Sequence, residues 1–116
     1  MSLKEITKFQ REFDKKHGWD WSSSSQEDKI KNLQYGTIAL AGEVGEFANT
    51  VKKILREFQV LNKISEKDYE KMKEELVDVF IYTIKLADQL LNFDLEKEYF
   101  KKMKLNEKRF KKFMKK

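Results

Sequence analysis

Four acidic side chains interrupt the most apolar parts of this 116-residue chain, and they come in two pairs. Glu43 and Glu46 stand inside the run Ile38–Ala48, and Glu75 and Asp78 stand where the next long apolar run begins. Residues three apart share one face of a helix, so each pair can present two carboxylates in one direction. Asp78 lies between Val77 and Val79. A lone carboxylate buried in such surroundings costs several kcal/mol or takes up a proton, unless it is paired or bound to a cation. Two acid pairs brought face to face would crowd four like charges. A hard divalent cation resolves that crowding, because Mg²⁺ takes oxygen ligands and keeps waters that substrate phosphates can replace.

Spacing alone also fits a simpler arrangement, in which Glu43 or Glu46 makes ion pairs with Lys52, Lys53 or another cation. Two details favour the metal. The acids break apolar stripes instead of lying on solvated faces. Gly42 and Gly45 flank the first pair in mid-helix, where each glycine costs about 1 kcal/mol relative to alanine, and such glycines suit a closely approaching helix.

Four helices can position these groups. The first opens on Ser2 with Glu5 three residues on, buries Ile6, Phe9 and Phe13, and stops near Gly18. A loop follows with Trp19, Asp20, Trp21 and the serines 22–25, in which Ser24 with Glu27 forms another capping pattern. The second helix is expected from about Gln26 to about Glu57, with Leu33, Ile38, Leu40, Val44, Phe47, Val51 and Leu55 as core, and 58–64 as connector. Ser65 with Asp68 opens the third, reaching about Leu91. Asp94 caps the fourth, whose stripe is Leu95, Tyr99, Met103, Asn106, Phe110 and Phe113. Short connections between long helices predict an all-α antiparallel four-helix bundle forming a single domain over 1–116. The third helix is apolar almost all the way round, through Val77, Phe80, Ile81, Ile84 and Leu90. More cover than one copy supplies is therefore expected, as a homodimer or homotetramer.

Composition narrows the function. There is no cysteine, which removes disulfides, thiol nucleophiles and Cys-based zinc sites, and one histidine leaves little for a catalytic triad. No apolar N-terminal run resembles a signal peptide, and Leu76–Leu91 is interrupted by Asp78, Lys85 and Asp88. A cytoplasmic protein without a membrane span is expected. Charge is uneven. Residues 101–116 carry nine Lys/Arg against one Glu, whereas the preceding hundred carry 16 basic and 19 acidic side chains. That basic end could meet nucleic acid, or be a solvated helix end whose cations suit the helix dipole; the second is favoured.

The segment Leu40-Ala-Gly-Glu-Val-Gly-Glu-Phe-Ala48 resembles the first metal motif of MazG-like nucleotide pyrophosphatases, particularly their dCTP pyrophosphatase branch. Glu74-Glu-Leu-Val-Asp-Val-Phe-Ile-Tyr82 resembles the second, and Lys102-Met-Lys-Leu-Asn-Glu-Lys-Arg-Phe110 resembles the K-M-x-x-N-x-x-R-[FY] block near the family's end. With the tryptophan loop, the match runs in order through nearly the whole chain. The resemblance implies that Glu43, Glu46, Glu75 and Asp78 hold Mg²⁺, with Mn²⁺ as a substitute, and that Glu43 or Glu46 orients or deprotonates the attacking water. It places Tyr82 beside the substrate and Trp19 on its base. Trp21 either joins the base pocket or plugs the bundle end. Lys102, Asn106 and Arg109 share a helix face suited to phosphate, the two cations being equally suited to a solvated tail.

The activity implied is hydrolysis of a (deoxy)nucleoside triphosphate, dCTP or another pyrimidine nucleotide favoured, to the monophosphate and pyrophosphate. The alternative from a different class is a non-catalytic helical oligomer or a nucleic-acid-binding module acting through the basic helix. The chain departs from the dCTP branch around the base. Gln10 stands where that branch has a first-helix histidine, Lys53 stands where it has a tryptophan, and the spacing from Trp19 to Glu43 is longer.

Overall fold

The computed structural model describes residues 2–23 and 25–115, and within them the fold is all-α with four helices and no strand. The helices are α1 (Leu3–His17), α2 (Gln26–Leu61), α3 (Glu66–Lys85) and α4 (Leu95–Arg109). A π-helical turn, Leu86–Leu90, continues α3, and a 3₁₀ turn, Lys111–Phe113, follows α4.

Local chemistry sets most of the boundaries. Ser2 accepts from the Glu5 amide at 3.2 Å, Ser65 from Asp68 at 3.1 Å and Asp94 from Lys97 at 3.1 Å, each satisfying an amide that the first helical turn leaves open. At the start of α2 the cap is Ser25, which accepts from Asp28 at 3.3 Å. The Ser24–Glu27 pattern involves Ser24, which lies outside the described residues. Gly18 ends α1 in the left-handed region at φ 71°, where a side chain would be strained. Asn62 does the same for α2 at φ 55°. The second helix therefore runs past the expected stop near Glu57 and absorbs most of the expected connector, since nothing in 58–61 breaks a helix.

α2 and α3 lie along one another across the turn at 62–65, and α1 packs on α3 and the π turn. One close approach is at Gly36 of α2. A methyl group there would come within 2.9 Å of Leu86 Cδ2 and 3.0 Å of the Trp21 ring. Gly42 and Gly45, expected to sit under a neighbouring helix, have open space where a side chain would be. Trp21, Ile54, Ile84, Ala87 and Leu90 are the buried apolar residues.

Much of the expected core is open. Phe9, Phe13, Ile38, Val44 and Leu55 are exposed, and no residue of α4 is buried. The radius of gyration is 18.1 Å, against about 13 Å for a compact domain of this length, and the longest extent, 53 Å, is about that of the 36-residue α2. No helix among the described residues is long and apolar enough to cross a membrane.

Candidate functional site

α3 carries Glu75, Asp78, Tyr82 and Lys85 at intervals of three, four and three, so a single helical face presents them in line. α2 brings Glu43 opposite. Glu43, Asp78, Ile81, Tyr82 and Lys85 line a cleft of about 460 Å³ whose other wall is Phe9, Gln10, Phe13, Asp14 and Trp19. The cleft is acidic at one end, aromatic in the middle and mixed-charge at the other.

At the acidic end, Glu75 is buried, Glu43 and Asp78 are half-buried and Glu46 is exposed. Glu43 Oε2 and Glu75 Oε1 are buried without a hydrogen-bond partner. The Glu43 carboxyl holds its proton more tightly than usual, because of burial first and then the charges of Glu46, Asp78 and Glu75. The four acids thus act on one another electrostatically. Their side chains are not drawn into one shell, and among the described residues no three acidic or histidine side chains form a ready metal cage. Orphaned buried carboxylate oxygens under mutual repulsion are nonetheless a donor set of the hard-oxygen type that Mg²⁺ takes.

Tyr82 holds its phenol proton more tightly than usual, from burial and then the neighbouring Tyr35, Glu43, Asp78 and Asp14, so it stays a hydrogen-bond donor. Trp19 is exposed, stacks on His17 at 4.9 Å between ring centres and lies 6.1 Å from Phe13. Trp21 sits outside the lining of the cleft. It is buried, stacked on Tyr82 at 6.0 Å and set edge-on to Tyr35 at 6.2 Å. Lys102, Asn106 and Arg109 are on α4 and outside the cleft lining. The two cations are exposed, and Asn106 Nδ2 lies 3.8 Å from Met103 Sδ.

Sequence reasoning missed a polar knot at the inner end of the cleft. Asp14 accepts from Gln10 Nε2 at 3.1 Å and Gln89 Nε2 at 2.8 Å. Gln89 Oε1 accepts from the Trp21 amide at 2.9 Å, and the Trp21 carbonyl accepts from Asn32 at 3.3 Å. Lys85 Nζ is 3.6 Å from Asp14, 3.4 Å from the Trp19 carbonyl and 4.0 Å above the Trp21 ring. The one signal for it was Lys85 breaking an apolar run.

An all-α fold with a carboxylate-ended aromatic cleft suits proteins that handle phosphorylated, planar ligands beside a divalent cation. Residues 33–113 match the MazG nucleotide pyrophosphohydrolase domain, well over half of the chain, and the protein belongs to that family. Enzymes of the family generally use divalent metals. The chain is similar to the Gene 37 protein of Mycobacterium phage L5, 44% identical over 63 residues that make up 54% of each chain. It thus spans about half the length of the curated relative it matches. No solved structure matches it.

Proposed function

We propose that this protein hydrolyses a (deoxy)nucleoside triphosphate to the monophosphate and pyrophosphate, with a pyrimidine nucleotide such as dCTP the class the branch resemblance favours. The observation that carries this reading is the pairing, in one cleft, of aromatic walls with Glu43 and Asp78, while Glu43 and Glu75 each keep a buried oxygen without a partner.

Glu43, Glu46, Glu75 and Asp78 are the residues that would hold Mg²⁺, with Mn²⁺ able to replace it. When bound, the ion neutralises phosphate charge and lowers the pKa of water. Water attacks the α-phosphorus, a new P–O bond forms there, the bond to the bridging oxygen breaks, and pyrophosphate leaves. The water's proton goes to a carboxylate of the first pair. Tyr82 donates from its phenol toward substrate, and Trp19 supplies a stacking face for the base. Lys102, Asn106 and Arg109 would serve the phosphates only after α4 closes on a cleft, its own or a second copy's. The open apolar residues Ile38, Leu76, Val77 and Phe80 on α2 and α3 support a homodimer or homotetramer.

The test is pyrophosphate release from each common nucleoside triphosphate with and without Mg²⁺. Glu43→Ala and Asp78→Asn should each abolish release while helical circular dichroism persists. Full activity in both variants would overturn the assignment.

A further inference from the structure

The inner end of the cleft has a cation whose bonding capacity is not spent. Lys85 is 7% exposed and lines the cleft, yet its ammonium makes one long hydrogen bond among the described residues, 3.4 Å to the Trp19 carbonyl. Its other neighbours are the Trp21 face at 4.0 Å and Asp14 Oδ2 at 3.6 Å, beyond hydrogen-bond length. A lysine ammonium has three donors. Asp14 pairs with it through charge at that distance, while its two carboxylate oxygens also accept from the amides of Gln10 and Gln89. Gln89 is tied at both ends, its oxygen to the Trp21 amide. Gln10 is tied only through its nitrogen, which leaves Oε1 as an acceptor at the cleft wall.

The inner end therefore offers a strong cationic donor beside a neutral acceptor. Its distance from the acids is set by the helix. Lys85 is seven residues beyond Asp78 on the same face, about 10 Å along the axis, a length suited to a nucleoside lying between them. With phosphates at the acids and the base between Trp19 and Tyr82, the edge of the base that bears its exocyclic group would meet Lys85 and Gln10.

We propose that Lys85, positioned by Asp14 and Gln89, reads that edge together with Gln10, and selects a pyrimidine with a carbonyl at position 4 over one with an amino group there. Uracil and thymine present a carbonyl oxygen to the ammonium and the adjacent ring N–H to Gln10 Oε1. In that register, with the position-4 group at Lys85 and the ring nitrogen at Gln10, cytosine would present an amino group to the ammonium and a ring nitrogen with no hydrogen to give. The inference rests on reading the cleft as a nucleotide site, and it runs against the cytosine preference of the branch that the motifs resemble.

The experiment compares dUTP with dCTP, which differ only at this edge, by kcat/KM for pyrophosphate release in the full chain. The wild-type protein should favour dUTP by about tenfold or more. Lys85→Met keeps the apolar contact with Trp21 and should bring the ratio of kcat/KM values close to one. Gln10→Met, at a half-buried position, should lower the ratio as well and serves if the Lys85 variant does not fold. Equal use of the two nucleotides, a preference for dCTP, or an unchanged ratio in folded Lys85→Met would overturn the proposal. If no triphosphate is hydrolysed, the hydrolase reading fails by itself. The base proposal is then decided by binding of dUMP against dCMP, followed by tryptophan fluorescence. Tighter dUMP binding upholds it, and equal or absent binding overturns it.

Discussion

Arg11 of α1 grips Asp88 of the π turn through two guanidinium nitrogens, at 2.8 Å from Nε and 2.6 Å from Nη2, across 77 positions of sequence. The two-point geometry fixes orientation as well as distance. It holds α1, and with it the wall of Phe9, Gln10, Phe13 and Asp14, against the end of α3. Arg11 holds its charge more firmly than usual, through this hydrogen bond foremost.

Breaking that pair should loosen the cleft more than the fold. The Arg11 side chain is 40% exposed, so solvent screens the pair and its coupling should be only about 1 kcal/mol. A double-mutant cycle of Arg11→Ala and Asp88→Ala in urea measures it. A coupling indistinguishable from zero would show that this pair does not help to hold α1.

The metal-free protein should lose stability as pH rises through the carboxylate range. Glu43 holds its proton more tightly in the folded chain than its ordinary value of 4.5 allows, so the folded state binds more protons than the unfolded one there. Stability then falls with rising pH, starting near 4.5 and ending above the raised value. Glu43→Gln should remove that part of the fall and raise the melting temperature of the metal-free protein at neutral pH. Melting curves in a chelator across a pH series, wild type against variant, provide the check. Parallel curves would contradict it. Added Mg²⁺ or Mn²⁺ should raise the wild-type melting temperature and raise that of the glutamine variant much less.

Two glycines of one helix should respond in opposite directions to alanine. At Gly36 the new methyl meets the rigid Trp21 ring at 3.0 Å, and overpacking should outweigh the gain in helix propensity, for a net loss of about 1 kcal/mol. At Gly42 the space is open, and alanine should stabilise the chain by up to about 1 kcal/mol. Denaturant melts of both variants decide it. A loss at Gly42 instead, growing with protein concentration, would show a second copy packing on that face.

Helix starts were legible because a cap is a local event. Ser2, Ser65 and Asp94 each need only an amide three residues away. Burial was less legible. Phe9, Ile38, Val44 and Leu55 lie on helical stripes that read as core, but periodicity shows which face is apolar and not what covers it. The carboxylate pairs could be found from their apolar surroundings and from family motifs. Asp14 could not, since beside Lys15 and Lys16 it reads as a surface charge, and its partner Gln89 is 75 positions away. The π turn has no composition of its own, because Leu86–Leu90 would pass for ordinary helix.

That turn gives the cleft a dependence on chain length. Leu91 N–H reaches back to the Leu86 carbonyl at 2.9 Å, five residues instead of four, so the turn accommodates one residue more than an α-helix would. Losing a single residue there would let the turn close up into ordinary α-helix and change which face its own residues present. Asp88 would leave Arg11, and Gln89 would leave both Asp14 and Trp21. The inner end of the cleft is thus set by a count of residues as much as by their kinds, and a one-codon deletion could rebuild it while leaving all four acids in place.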